Sequence, residues 1–152
     1  SRTPFETLRQ ASVGDVPGIL ELILPLEQQG VLVARSRERL ETGIGDYRVI
    51  DRDGTIIGCA ALHQFSDQAT GELACLVLHP DYRRETRGSR LLGTIEDEAR
   101  TRGLRRLFVL TTQTEHWFRE HGFEPAGVND LPQARQAAYN RQRNSKVLIK
   151  AL

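Results

Sequence analysis

The sequence predicts an α/β domain with a mixed, mostly antiparallel central sheet flanked by helices. Three observations point there. Residues 46–52 and 55–64 read as strands joined at Asp53-Gly54, a two-residue hairpin signal. Residues 88–102 put Leu91, Leu92, Ile95 and Ala99 on one helical face, with Gly103 as the stop. The apolar run 105–112 follows at once and reads as a buried strand.

The remaining elements fall around these. Residues 5–11 form a first strand, and Ser12 with Asp15 three positions on makes a capping-box signature. Val16, Ile19, Leu20, Ile23 and Leu24 then recur at helical spacing, giving a helix over 13–29 that Gly30 ends. Val31, Leu32 and Val33 form a short extended piece before a second helix near 36–43, capped by Ser36. A polar loop at 65–70 leads into a third strand, 71–79. If it hairpins with its predecessor, Cys59 and Cys75 come opposite one another. On the helix at 88–102, Glu96 and Arg100 are spaced for an i,i+4 ion pair. A short helix at 114–121, then Gly122-Phe123, a helix near 132–141 and a final strand at 145–150 complete the chain.

At 152 residues the sequence fits a single domain with one core, here 1–152. Lys+Arg 21 against Asp+Glu 20 gives a net charge of +1, which argues against a dedicated nucleic-acid binder. Anion recognition must therefore be local. No apolar run approaches the roughly 20 residues of a membrane span, and no secretory pattern opens the chain. Two cysteines in apolar runs, without metal-ligand spacing to His, read as buried free thiols in a reducing, cytoplasmic setting. The chain opens on Ser1 rather than Met, as a processed or excised protein would.

The stretch VLHPDYRRETRGSRLLGTIEDEARTRG (77–103) carries the most chemistry. A strand ends in His79-Pro80-Asp81-Tyr82, a loop carries Arg83, Arg84 and Arg87, and Gly88 opens the helix. A basic loop at a helix N-terminus is an anion site, because backbone N–H groups and the helix dipole point at it. Its bland alternative is a solvated basic turn.

The register Arg83-Arg84-Glu85-Thr86-Arg87-Gly88 resembles the Arg/Gln-x-x-Gly-x-Gly/Ala pyrophosphate loop of the GCN5-related N-acetyltransferases, with Thr86 at the first glycine. The resemblance extends over nearly the whole chain and includes the helix-then-Gly-Phe ending of HWFREHGFEPAG. It implies splayed central strands and acetyl-coenzyme A as co-substrate, with no metal. Arg83, Arg84, Glu85, Thr86, Arg87, Gly88 and Ser89 would cradle the pyrophosphate. Main-chain groups of Leu76, Val77 and Leu78 would pair with the pantetheine arm as an added strand. One departure is plain: Phe118 stands where the family commonly has a Tyr that protonates the leaving thiolate.

A narrower resemblance covers PLEQQGVLVARSRERLE (25–41), GELACLVLHPDYR (71–83), LFVLTTQTEHWFREHGF (107–123) and YNRQRNSKVL (139–148). These look like the bacterial N-acetylglutamate synthases, in which a small hydroxyl residue replaces the first loop glycine. The resemblance implies acetylation of the α-amino group of L-glutamate, the first step of arginine biosynthesis. It also implies an upstream arginine-binding, kinase-like domain, so that this chain is an excised catalytic domain or a short form.

Direct transfer needs a neutral amine, yet an α-amino group is mostly protonated near neutral pH. Glu72, at the start of the strand expected to line the cleft, is the candidate base; otherwise it is an exposed strand-end carboxylate. A backbone N–H near Leu76 or Val77 would hold the oxyanion. Thr111, Thr112 and His116 are candidate donors to the departing thiolate, although a Thr there is commonly a strand-end cap. Guanidinium forks match the two carboxylates of glutamate, which singles out Arg35 and Arg143, with Ser145 and, more weakly, Lys146. The bland reading of RQRNSK is a polar loop before an edge strand. Cys75 would line the acceptor pocket, or is simply a small buried hydrophobe.

The sequence thus reads as an acetyl-coenzyme A:L-glutamate N-acetyltransferase working by direct attack in a ternary complex. Two rivals stay open: a related acetyltransferase for another amine, and a silent acetyl-coenzyme A sensor module, which the missing Tyr keeps in play. The expected partners are small molecules, with neither nucleic acid nor membrane; a homo-oligomer remains compatible with the sequence.

Overall fold

The computed structural model describes residues 3–84, 86–139 and 144–152, Asp67 by its backbone alone. In chain order the elements are β1 (Glu6–Gln10), α1 (Val16–Gln28), α2 (Arg37–Thr42), β2 (Tyr47–Arg52), β3 (Thr55–Phe65), β4 (Thr70–Leu78), α3 (Arg87–Thr101), β5 (Arg106–Thr111), α4 (Glu115–Glu120), β6 (Glu124–Ala126), α5 (Gln133–Ala137) and β7 (Lys146–Ala151). The strands form one sheet in the order β1-β2-β3-β4-β5-β7-β6. The β1–β2, β2–β3, β5–β7 and β6–β7 pairs are antiparallel, and β4–β5 is parallel. That parallel register covers Thr70–Arg106, Gly71–Leu107 and Glu72–Phe108, short against the 9 residues of β4, as splayed central strands require. The expected α/β class holds. By contact density the chain divides into two compact units, Ser1–Ala61 with Cys75–Ile95 and Leu62–Ala74 with Glu96–Leu152.

In the first unit the hairpin turns where the sequence places it. Asp53 (φ 51°) and Gly54 (φ 88°) take the left-handed conformations of a tight two-residue turn, and Gly54 N–H donates to Asp51 Oδ1 at 2.8 Å. Ser12 N–H donates to Asp15 Oδ2 at 2.8 Å, the reciprocal half of the capping box. The turn from Val13 to Asp15 is 3-10, and α1 proper starts at Val16 with Pro17 inside its first turn, where a missing N–H costs nothing. Gly18 is required by proximity: a Cβ there would lie 2.7 Å from Ile56 Cγ1, so only glycine lets α1 sit this close to β3. Val16, Ile19 and Ile23 are buried as expected, but Leu24 is 49% exposed, on the flank of a narrow apolar stripe.

The extended piece expected at 31–33 is not a strand. Val31 and Leu32 N–H both return to Leu26 O (2.9 and 3.2 Å), so their amides finish α1 rather than join a ladder. Ser36 does cap α2, accepting from Arg39 N–H at 3.1 Å.

The second unit is centred on Phe108, Leu131 and Val147, with Phe65, Leu110, Ala126, Val128, Tyr139 and Ile149 packed against them. Its β6 has no sequence signal, since only three residues pair and one is Pro125. Proline is tolerated there because β6 is the edge strand. That makes β7 an interior strand rather than the edge expected at RQRNSK. The Glu96–Arg100 pair is also replaced. Glu96 is buried and accepts from Lys150 Nζ at 2.6 Å, while Arg100 reaches Asp97 at 3.4 Å. A buried carboxylate takes the cation the core offers, not the one its own helix surface offers.

Candidate active site

Every backbone feature at the start of α3 suits an anion. After β4, His79 Nδ1 accepts from Asp81 N–H (3.1 Å) and Pro80–Tyr82 form one 3-10 turn. Arg83 Nε donates to Leu78 O (3.3 Å), and Arg83, Arg84 and Thr86 are exposed. Thr86 O accepts from Arg90 N–H at 2.9 Å, which starts the helix. The first turn holds no acidic residue, so no carboxylate of the helix itself occupies its free N–H groups. Gly88 is half-buried and Ser89 exposed, while Glu85 lies outside the described residues. Upstream, Val77 is buried and Leu76 and Leu78 are half-buried along β4.

Arg87 corrects the sequence reading. Its guanidinium was expected on the anion, but it is buried and forks onto Glu6 of β1, Nε–Oε2 3.0 Å and Nη2–Oε1 2.9 Å. It also lies 5.1 Å from the Tyr82 ring centre. Its guanidinium is thus engaged by Glu6, while Arg83 and Arg84 carry the exposed positive charge.

Within the same unit, Cys75 breaks the extended geometry of β4 with φ 55°. A non-glycine residue in the left-handed region inside a strand is strained. Cys59 Sγ donates to Cys75 O at 3.3 Å, and both thiols are buried and free, as expected. Hydrogen bonding between the two thiols, and then burial, raise Cys59 well above the ordinary thiol range. The same hydrogen bond lowers Cys75, against the opposing effect of burial and helped by the charge of Arg35. Arg35 is itself placed by its N–H on Glu27 Oε2 (2.8 Å) and its Nη1 on Val33 O (3.3 Å).

In the second unit Glu72 is only 8% exposed, which removes the alternative of a solvated strand end. Arg135 of α5 holds it, Nε–Oε1 at 2.9 Å and Nη2–Oε2 at 3.5 Å. Thr111 closes β5 and acts as a cap: its Oγ1 accepts from Thr114 N–H (3.0 Å) and Gln113 N–H (3.3 Å) and lies 2.7 Å from Thr114 Oγ1. Thr112 is exposed. His116 is not drawn into this cluster; its side chain is 89% exposed and pairs with Glu120 at 3.6 Å. Phe118 is a core aromatic, edge-on to Trp117 and Phe123 with centroids 5.0 and 5.3 Å apart. Ser145 is buried and its carbonyl accepts from Tyr139 O–H at 2.7 Å. Lys146 begins β7 with an exposed side chain, and Arg143 lies outside the described residues.

Sequence reading missed Glu6, Arg135 and Tyr139. All three act on partners distant in sequence or across a loop, and nothing in composition marks one arginine of QARQAAYNRQR as the partner of Glu72. Among the described residues, no cluster of three or more His, Cys, Asp and Glu could hold a metal ion. No helix among them is long and apolar enough to cross a membrane.

Comparison with known proteins agrees with this architecture. An amino-acid acetyltransferase of Azotobacter vinelandii is 60% identical over 148 residues, 97% of this chain and 34% of that protein. The N-acetylglutamate synthase of Neisseria gonorrhoeae, complexed with coenzyme A and N-acetyl-glutamate, superposes with TM-score 0.93 at 44% identity, over 100% of this chain and 36% of that one. The same synthase complexed with coenzyme A and L-arginine gives TM-score 0.86 at 43% identity, over 97% of this chain and 33% of that one. The chain thus spans about a third of the length of the curated relatives it matches. Residues 18–123, from the glycine that admits α1 to the Phe after α4, match the model of the acetyltransferase (GNAT) family, and the chain belongs to that family.

Proposed function

We propose that this chain transfers the acetyl group of acetyl-coenzyme A to the α-amino group of L-glutamate, giving N-acetyl-L-glutamate at the start of arginine biosynthesis. The observation that carries the reading is the match at 44% identity, over 100% of this chain and 36% of the other, to a synthase crystallised with both coenzyme A and N-acetyl-glutamate. The chain's own residues fit the cofactor: a helix of 15 residues with no acidic residue in its first turn, and Arg83 and Arg84 exposed before it, suits a diphosphate. When bound, acetyl-coenzyme A supplies the activated acyl group.

The protein's part is then positioning and proton handling. Main-chain groups of Leu76, Val77 and Leu78 align the pantetheine arm, and a backbone N–H near Leu76 or Val77 meets the developing oxyanion. Glu72 takes the amine proton. Its Oε2, held at 3.5 Å against 2.9 Å for Oε1, keeps the spare acceptor capacity. Thr111 donates to the departing thiolate, where Phe118 has nothing to give. Arg35, Arg143 and Ser145 bind the carboxylates of glutamate, and Cys75 lines the acceptor pocket.

The test is release of free coenzyme A across a panel of amino acids and peptide N-termini. L-Glutamate is expected to give the highest kcat/KM. Preference for another amine by about tenfold would remove glutamate as the acceptor, and tight cofactor binding without turnover would make the domain a sensor.

A further inference from the structure

We infer that Glu6 is a positioning residue for the diphosphate-binding turn, fixing the start of α3 to β1 through Arg87. The inference rests on the coenzyme A reading above. Glu6 is the common counter-ion of three arginines: Arg87 at 2.9 and 3.0 Å, Arg52 at 2.8 Å and Arg90 at 3.5 Å. Two of these residues open α3, and the third ends β2. The Tyr82 ring, in the turn just before the anion loop, receives both Arg52 (5.3 Å) and Arg87 (5.1 Å). One carboxylate therefore ties together β1, the end of β2, the Pro80–Tyr82 turn and the first turn of α3.

A site made of main-chain amides has no side-chain rotamers to adjust, so its precision depends on what holds the backbone. The side chain of Arg87 is 8% exposed and that of Glu6 14%, so this tie is shielded from solvent and salt. Without Glu6, the largely buried Arg87 loses the carboxylate it forks onto, and the turn it anchors is held less firmly.

The experiment compares Glu6→Gln with the unaltered chain using two acyl donors, acetyl-coenzyme A and S-acetylpantetheine, which shares the thioester arm but lacks the diphosphate. Coenzyme A affinity is measured by calorimetry alongside. Glu6→Gln is expected to weaken coenzyme A binding and cut the preference for acetyl-coenzyme A by about tenfold, with kcat/KM for S-acetylpantetheine unchanged. An unchanged preference, or an equal loss on both donors as a merely structural role would give, overturns the inference. If Glu6→Gln does not fold, Glu6→Asp is read in the same way; its carboxylate withdraws by one methylene, and a preference equal to the unaltered chain's overturns the inference. If the unaltered chain itself binds coenzyme A no better than pantetheine, the cofactor reading has failed instead, and the proposed role of Glu6 falls with it.

Discussion

Glu6 with Arg87 and Glu72 with Arg135 are the same pair of residue types in two different uses. Glu6 has both oxygens filled: Arg87 forks onto it at 2.9 and 3.0 Å, and Arg52 adds a third contact at 2.8 Å. Among the described residues Glu72 has a single guanidinium partner, one oxygen close at 2.9 Å and the other loose at 3.5 Å. The Arg87 hydrogen bonds, with Arg52 and against the cost of burial, hold the Glu6 carboxyl down at about 2. It is therefore an anchor with no capacity to accept a proton near neutrality. The looser oxygen of Glu72 is the one the proposed base role would use. A buried carboxylate–arginine pair is thus no mark of chemistry in itself; the remaining acceptor capacity decides.

The comparison breaks first at Glu72. Glu72→Gln keeps an oxygen for Arg135 but loses the basic site, so kcat is expected to fall by about 10²–10⁴, with Tm close to that of the unaltered chain. Steady-state kinetics with a thermal melt as control measure this. A loss under about threefold would make Glu72 a second anchor and erase the contrast.

Next in size is the acid stability of the anchor. Folding lowers Glu6 from 4.5 to about 2, and it lowers Asp15 from 3.8 to about 2 through the Arg9 fork, burial opposing. Below the unfolded values the unfolded chain binds more protons, so this stability is present in full above about pH 4.5. It is lost as pH falls through 4.5 towards 2. At about 1.4 kcal/mol per pH unit, Glu6 contributes at most about 3 kcal/mol. Urea unfolding at about pH 5 and about pH 2.5 should show that drop. Glu6→Gln should flatten it; an equally steep drop in the variant would deny the anchor its electrostatic role.

Arg135→Met tests the other partner. It should lower kcat by about tenfold, because Glu72 remains but is no longer oriented. Combined with Glu72→Gln it should add almost nothing. Additive losses in kcat would mean that Arg135 contributes independently of Glu72.

How much of this was legible differs between the two units for a physical reason. The segment from Pro80 into α3 was placed by local signals: Pro80 and the apolar face of Leu91, Leu92 and Ile95 mark the turn and the helix in the sequence itself. Asp53-Gly54, the Ser12–Asp15 box and the Ser36 cap were readable for the same reason. The partners of Glu6, Glu72 and Glu96 were not. They lie 81, 63 and 54 positions away, and only the folded sheet selects them. β6 was illegible because its three pairs are enforced by β7, not by its own residues. The Arg87 side chain belongs to the same class: its direction is set by an acid on β1.

The smallest expected effect is the sharpest on this point. If amides grip the diphosphate while Arg83 and Arg84 merely add field, each exposed guanidinium is worth little, since solvent screens it. Arg83→Ala should then raise the KM for acetyl-coenzyme A by only about threefold, with kcat and the glutamate KM unaltered, and the effect should shrink further in high salt. A rise beyond about thirtyfold, persisting in high salt, would show a direct charge-assisted bond to the diphosphate. The site would then be built from side chains after all, and the mechanical tie between Glu6 and the turn would lose its purpose.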